Sequence, residues 1–290
     1  MTHSISQANQ NVESSAPVHT EKLPLSVIIL TKNEELLIER CLQSVRWASE
    51  CVVIDSGSVD RTKELAAALG AKVYEQEWLG WSAQRNKGIS LAKHDWVFVL
   101  EADEIVSPEL AASIKSVMTN PRDDRDGYSI DRRDDYHGVL MPSIRRRSNL
   151  IGCVRLFNRT QSSYDLTMKV HEKVRCPGKT ILMSGILLHW RSTLLDEQIS
   201  CLNRYATIEA EMLQEQGCQS SALLIVTRPI LRFLWCYVAK GCFRKGIQGL
   251  NYSIVRAISD YVRYAKLWEM QNVTYSIDPP ADVYQVKAED

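Results

Sequence analysis

The feature that most limits how this chain folds is a regular alternation of short β-rich runs with helical segments, which begins at Leu25 with LSVIIL. A continuous apolar run of this kind suits a parallel strand covered on both faces. Ile38, Cys41, Leu42 and Val45 then fall at i, i+3, i+4 and i+7, one face of a helix. CVVID reads as a second strand, and Ser58 as the N-cap of a helix that carries Leu65 and Leu69 and stops at Gly70. KVYEQ is a third strand, residues 81–92 a third helix, and DWVFVL a fourth strand running straight into Glu101-Ala102-Asp103-Glu104. A βαβαβαβ series predicts an α/β fold built on an open, mostly parallel sheet with flanking helices.

The pattern changes twice further on. A helix of about three turns follows Pro108, after which GYSIDRR, CVRLFNR and GILLHW stand as strands without helices between them. From Leu194 to about Met270 the pattern is helical. The expected organisation is therefore a leader over 1–23, one half-domain over 24–120, a second half over 121–193, a helical appendage over 194–275 and a flexible tail over 276–290.

Composition narrows the class. The 35 basic and 35 acidic residues cancel, so the overall field offers nothing to a nucleic acid, and none is expected as a partner. The eight cysteines are scattered without a C-x-x-C pair or a histidine at zinc-ligand spacing, which reads as reduced thiols in the core. The first residues are polar and lack a basic start or an apolar stretch, so a disordered leader is expected, not a secretory signal. No run approaches eighteen consecutive apolar residues, which argues against a simple transmembrane helix. A cytosolic protein is expected.

In an open parallel sheet, ligands collect beyond the carboxyl ends of the strands. Three polar clusters should meet there: Thr31-Lys32-Asn33-Glu34, Asp55-Ser56-Gly57-Ser58 and Glu101-Ala102-Asp103. Glu101 and Asp103 are two apart, a spacing that in extended backbone directs both carboxylates to one side. Paired hard oxygen ligands suit Mg²⁺ or Mn²⁺, whose shell substrate phosphates and water complete. An acidic helix start, with Asp103 and Glu104 on the dipole of the helix after Pro108, fits the same residues. Asp55 can accept from a base or ribose, while Ser56 to Asp60 can equally be a turn and cap. On the third helix Arg85 can meet phosphate and Asn86 can fix backbone or ligand, although an exposed polar face explains Gln84-Arg85-Asn86 as well.

The blocks LSVIILTKNEE, VVIDSGSVDRT, WSAQRNKGI and DWVFVLEADE occur in the order seen in the donor domain of family 2 glycosyltransferases, which residues 25–110 resemble. RLFNR, VHEKV and LLHW resemble the bacterial subgroup that includes lipopolysaccharide core β-1,4-glucosyltransferases. The resemblance implies a GT-A fold, a nucleotide-diphosphate sugar donor (UDP-hexose), Mg²⁺ or Mn²⁺, and inversion at the anomeric carbon. It implies that Thr31, Asn33, Glu34 and Asp55 line the nucleotide, Arg85 approaches the nucleotide or diphosphate, and Glu101, Ala102 and Asp103 meet the donor, with Asp103 and Glu101 on the metal. The chain departs from the family's D-x-D at Glu101, whose extra methylene keeps the charge and changes its reach.

Inversion needs a base for the acceptor hydroxyl, and metal charge on the leaving diphosphate. Glu172, in Val170-His171-Glu172-Lys173, is the leading choice, ahead of Asp134, Asp135 and Glu104. His171 can orient it. His189, at the end of an apolar strand, reads as a structural histidine, and Trp78 and Trp81 beside Gly80 as packing or a sugar platform.

Between Gln216 and Ser259 there is no acidic residue, while Arg228, Arg232, Lys240, Arg244, Lys245 and Arg256 supply positive charge among apolar and aromatic residues. Residues 216–259 thus read as a basic amphipathic surface for the inner face of the cytoplasmic membrane, where a lipid-linked or lipopolysaccharide glycan acceptor would lie. A buried helix with basic edges is the plainer reading. Arg145-Arg146-Arg147 can extend that surface or hold acceptor phosphates, and a solvated basic loop explains them as well. Two other functions fit parts of the pattern: a sugar nucleotidyltransferase, although 31–34 is not a glycine-rich triphosphate loop, and a catalytically silent membrane-bound scaffold.

Overall fold

The computed structural model describes residues 22–120, 123–144, 153–167, 172–190 and 194–273. Nearly all of the expected leader, Arg145-Arg146-Arg147, His171 and the 276–290 tail lie outside the described residues.

The four expected strands form as β1 (Leu23–Thr31), β2 (Ala48–Asp55), β3 (Lys72–Glu75) and β4 (Trp96–Glu101), joined by α1 (Ile38–Ser44), α2 (Thr62–Ala68) and α3 (Trp81–Ser90). Then come β5 (Glu104–Val106), α4 (Pro108–Thr119), β6 (Gly127–Tyr136), β7 (Val139–Leu140), β8 (Val154–Asn158), β9 (Ser163–Tyr164), β10 (Val174–Arg175) and β11 (Thr180–His189). The main sheet runs β3-β2-β1-β4-β8-β6-β11-β5, with β7 paired to β6. β1 to β4 are mutually parallel and β6 is parallel to β11, whereas β8 and β5 run against their neighbours. Both expected halves share this one sheet, and the arrangement is the mostly parallel, helix-flanked one implied for a GT-A fold.

The continuous apolar runs are explained by two covered faces. Leu25, Val27 and Ile29 of β1 pack with Ile38, Cys41 and Leu42 of α1 and with Leu110 and Ile114 of α4, while Ile28 and Leu30 face Ile89 of α3 on the other side. Each such side chain, fully buried, contributes about 1.5–3 kcal/mol. Gly88 lets α3 approach: a Cβ there would stand 2.4 Å from Ile28 Cγ2. Gly185, with φ +90°, bulges β11 beneath α4, where a Cβ would meet the Leu110 backbone nitrogen at 2.3 Å.

Several local expectations change. α2 starts at Thr62 without a side-chain cap, and Ser58 belongs instead to the loop before it. The chain from Glu104 is a short strand, so the acidic-helix-start reading does not hold; Ser107 caps α4 by accepting from Leu110 N. No disulfide joins the cysteines, but Cys218 is exposed and only Cys41, Cys236 and Cys242 are buried.

The helical region consists of α5 (Leu195–Glu215), α6 (Ala222–Leu234) extended by a π turn over Trp235–Ala239, a 3₁₀ turn (Cys242–Lys245) and α7 (Gly246–Asn272). α7 packs against both other helices, with Arg232 of α6 paired to Asp260 and Arg263 to Glu209. The region is fastened to the sheet by a cluster of Tyr136, Met141, Cys236, Cys242 and Tyr252, and by the Trp235 indole donating to the Ile144 carbonyl at 3.0 Å. Ala222–Ala239 is 18 residues of helix, long and apolar enough to cross a membrane by length and composition, although its apolar residues are not consecutive. Cys236 is its only buried residue.

Candidate active site

Register aligns the strand ends: Thr31 lies opposite Asp55, and Leu30 opposite Glu101. The three polar clusters therefore do converge on one edge. There Asp55, fully buried, accepts from Gly57 N (3.0 Å) and Ser58 N (2.8 Å) with one oxygen and from the Ser58 hydroxyl with the other. Ser58 Oγ accepts from Asn33 N at 2.8 Å, Asn33 Oδ1 accepts from Val59 N at 2.9 Å, and Glu34 N donates to Thr62 Oγ1 at 2.8 Å. Asn33 sits at φ 55°, a left-handed conformation that asparagine tolerates. Asp55 thus builds the loop that a ligand would meet. Thr31 Oγ1 is buried beneath it without a hydrogen-bond partner among the described residues.

The second cluster is ionic. The chain turns at Ala102–Asp103, so the extended alternation expected for Glu101 and Asp103 does not apply. The Glu101 carboxylate meets Arg85 Nη2 at 2.8 Å and Arg155 Nη2 at 3.9 Å. Burial pushes its acidity towards the neutral form, but Arg155, Arg85 and Arg132 outweigh this and bring Glu101 down to about 2. Arg85 is 4% exposed, lies over the rings of Trp81 and Tyr164, and also meets Glu172 Oε2 at 3.2 Å. Its guanidinium is therefore a buried bridge between Glu101 and Glu172, not part of an exposed polar face. Gln84 is buried too, and Asn86 exchanges two 2.9 Å hydrogen bonds with the Tyr164 backbone. Trp78 is half-exposed and meets Trp81 edge-on. Glu104 is fully buried and accepts from Arg132 Nε, Arg155 Nη2 and Glu101 N, each at 2.9 Å.

The third cluster contains Asp103. His189 Nε2 lies 3.1 Å from Asp103 Oδ2, and His189 Nδ1 lies 3.0 Å from Asp134 Oδ1. Asp134 also accepts from Tyr252 OH (2.6 Å) and Arg256 Nη2 (2.8 Å), both on α7. Burial and Arg132 disfavour charge on His189, but hydrogen bonds to Asp103 and Asp134 overcome them and raise it to about 9. Both ring nitrogens of His189 are thus satisfied by carboxylates.

A divalent ion fits the buried Asp103 carboxylate, with His189 Nε2 beside it once that nitrogen gives up the proton it shares with Asp103, since such ions need few protein ligands when phosphates complete the shell. No ready-made group of three His, Cys, Asp or Glu ligands exists among the described residues. Glu101 is ion-paired to Arg85.

The raised His189 fixes a pH dependence. Its stabilising contribution, on the order of 3 kcal/mol for this displacement, is fully present below the unfolded value near 6.5 and is lost as pH rises through about 9. In urea denaturation of metal-free protein, the stability gap between wild type and His189→Gln should narrow from pH 6 to pH 10. A constant gap would refute the charged imidazole.

Sequence reasoning did not see Arg132, Arg155, Tyr252 or Arg256 as site residues. The visible signal was Arg155, a charge inside the apolar run of CVRLF that would need a buried partner.

Residues 26–187 match the family model described as Glycosyl transferase family 2. Lipopolysaccharide core biosynthesis glycosyltransferase LpsC of Rhizobium meliloti is 30% identical over 256 residues, 86% of this chain and 93% of that protein. An uncharacterized glycosyltransferase of Rickettsia prowazekii is 32% identical over 266 residues, 87% of this chain and 90% of the relative. Among solved structures, glucosyl-3-phosphoglycerate synthase from Mycobacterium tuberculosis, in complex with Mn²⁺, UDP and glucosyl-3-phosphoglycerate, is 18% identical with a TM-score of 0.42, over 69% of this chain and 82% of that one.

Proposed function

The chain belongs to glycosyl transferase family 2 and is a glycosyltransferase, and from that premise we propose that it transfers a hexose, with inversion, from a UDP-sugar to a lipid-linked or lipopolysaccharide core glycan. The observation that carries the reading is the convergence of the Asn33/Asp55 loop, the Arg85-bridged pair Glu101 and Glu172, and the Asp103–His189 pair around the carboxyl edge of one sheet. The similarity to LpsC over nearly its full length supports the acceptor class. The nucleotidyltransferase and silent-scaffold alternatives give way to the family.

In this reading the nucleotide lies against Thr31, Asn33, Glu34 and the turn shaped by Asp55. Asp103 and His189 hold Mg²⁺ or Mn²⁺, which when bound stabilises the charge of the departing diphosphate. Glu101 and Ala102 form the floor beneath the donor. Glu172 takes the proton of the acceptor hydroxyl as its oxygen attacks the anomeric carbon opposite the leaving group. Glu172 is favoured over two of its rivals: Glu104 is fully buried between two arginines, and Asp134 is held well below the usual carboxylate range, burial being outweighed by His189, Arg256 and Arg132, while the third, Asp135, accepts from Gly138 N in the β6–β7 turn. Arg85, between Glu101 and Glu172, holds both carboxylates in place.

The helical region would rest on the inner face of the cytoplasmic membrane. Leu223, Val226, Ile230, Leu231, Leu234 and Val238 are exposed along one helix, and a groove of about 360 Å³ between α6 and α7 is lined by apolar and aromatic side chains. Arg232 and Arg256 are used internally, on Asp260 and Asp134, so Arg228, Arg244 and Lys245 would meet anionic lipid. Arg228 and Arg232 within the helix favour an interfacial position over a span, since arginine at mid-membrane costs about 2.5–3.5 kcal/mol.

The test is a panel of nucleotide sugars incubated with the protein and Mn²⁺ or Mg²⁺, with and without anionic vesicles carrying a lipopolysaccharide-core glycolipid. Transfer of hexose from one UDP-sugar, metal-dependent and lost in Asp103→Ala, with the protein floating with the vesicles, is the expected result. No donor bound or consumed under any condition would end the reading, and failure to float would end its membrane part.

A further inference from the structure

We infer that the C-terminal helical arm is part of the catalytic site: Tyr252 and Arg256 of α7 hold Asp134, and Asp134 is the positioning residue that fixes the His189 ring beside Asp103. The inference rests on the reading of Asp103 and His189 as ligands of the divalent ion.

Backbone register places His189 of β11 opposite Asp134 of β6 and Glu104 of β5. Pairing fixes where the Cα sits but not how the imidazole turns about its side-chain bonds. That choice is made by what the far ring nitrogen bonds to, and a ligating histidine is held in this way by a carboxylate or carbonyl. Here the far nitrogen, Nδ1, meets Asp134 Oδ1 at 3.0 Å while Nε2 is presented to Asp103.

Asp134 itself needs holding. Arg132 Nη1 stands 3.6 Å from the oxygen that faces His189 and competes for it. The opposing restraint comes from the other oxygen, Oδ2, which accepts from Tyr252 OH at 2.6 Å and Arg256 Nη2 at 2.8 Å. These residues are one helical turn apart on α7, are linked to one another at 3.2 Å, and stand 118 and 122 positions beyond Asp134 in sequence. Tyr252 is 5% exposed and is wedged edge-on against Tyr136, two residues after Asp134 on β6. The hydroxyl is therefore delivered by a rigid ring and not by a mobile side chain.

α7 accordingly has two uses on two faces. Tyr252, Arg256 and Asp260 point inward, while Ile254, Ile258 and Tyr261 line the apolar groove with α6. Displacing the arm would release Asp134 and with it the ring that Asp103 faces.

The experiment measures Mn²⁺ affinity of the full-length protein at one fixed, saturating concentration of UDP, from the electron paramagnetic resonance signal of the unbound ion, alongside the ¹⁵N shifts of the His189 imidazole. Asp103→Ala and His189→Gln serve as references, and Asp134→Asn, Tyr252→Phe and the Tyr252→Phe/Arg256→Met pair as tests. Outer partners of metal ligands are worth about 10–100-fold in affinity, so Asp134→Asn should weaken Mn²⁺ binding within that range. The α7 pair should weaken it by about tenfold and move the His189 ring signals, with the circular dichroism and melting cooperativity of the wild type. Tyr252→Phe keeps the wedge and removes only the hydroxyl, so if the pair does not fold, the single variant decides by a smaller loss in the same direction. Wild-type affinity and unmoved ring signals in folded α7 variants, with His189→Gln weakened, would reduce the arm to packing and overturn the inference alone. A loss confined to Asp103→Ala would remove His189 as a ligand and the inference with it. Unchanged binding in Asp103→Ala and His189→Gln together would overturn the metal reading itself.

Discussion

Glu172→Gln is expected to lower kcat by on the order of 10²–10⁴, the contribution of a positioned general base, while the dissociation constant for the UDP-sugar changes by no more than a few-fold. The substitution keeps the shape of the side chain and removes its capacity to take a proton. Arg85 loses one of its two carboxylate partners but keeps Glu101 at 2.8 Å, so the wall of the site should stand. Steady-state kinetics with titration calorimetry of donor binding separates the outcomes. Full transfer by Glu172→Gln would remove the base assignment and leave the fold and family untouched, whereas a loss of donor binding equal to the loss of rate would make Glu172 a binding residue.

β1, β2 and β4 and the meeting of the polar clusters on one edge were legible because those three runs are continuous and apolar, and β3 was legible from its place between two helices. β5 was not, because Glu104–Val106 is three residues long and has no period of its own. Its pairing with β11 decides which way Asp103 faces. The same limit explains the carboxylates of Glu101-Ala102-Asp103-Glu104. Spacing showed that they were close, but their partners lie far off in sequence: Arg85 is 16 positions from Glu101, Arg155 is 51 from Glu104, and His189 is 86 from Asp103. The extra methylene at Glu101 is explained only by the arginine it reaches. Composition likewise displayed the positive charge of 216–259, but not that Arg232 and Arg256 turn inward to aspartates. Pattern reveals faces and edges; which ion meets which is settled by packing across the sheet.

Glu104→Gln is expected to destabilise the protein by about 3–5 kcal/mol, the usual consequence of breaking a buried ionic group by removing one partner. Glu104 has no exposed surface and balances two guanidiniums, Arg132 and Arg155, whose side chains are 18% and 9% exposed. Glutamine keeps one acceptor oxygen but not the charge, so one of the three 2.9 Å hydrogen bonds must weaken and positive charge is left in excess. The nearest remaining carboxylates are poorly placed to take over: Glu101 is 3.9 Å from Arg155, and Asp134 is 3.6 Å from Arg132. Against a typical total of about 5–15 kcal/mol, the loss should appear as a large fall in the urea midpoint. If the midpoint is unchanged, the arginines are solvated or the cluster has rearranged, and Glu104 does not hold the turn. The site depends on that answer. Glu104 Oε2 accepts the Glu101 amide and closes the turn that carries Asp103, while its backbone pairs with His189. A charge with no access to substrate thereby sets the distance between the two groups assigned to the metal, which is why a residue that first read as part of an acidic helix start belongs to the frame of the site.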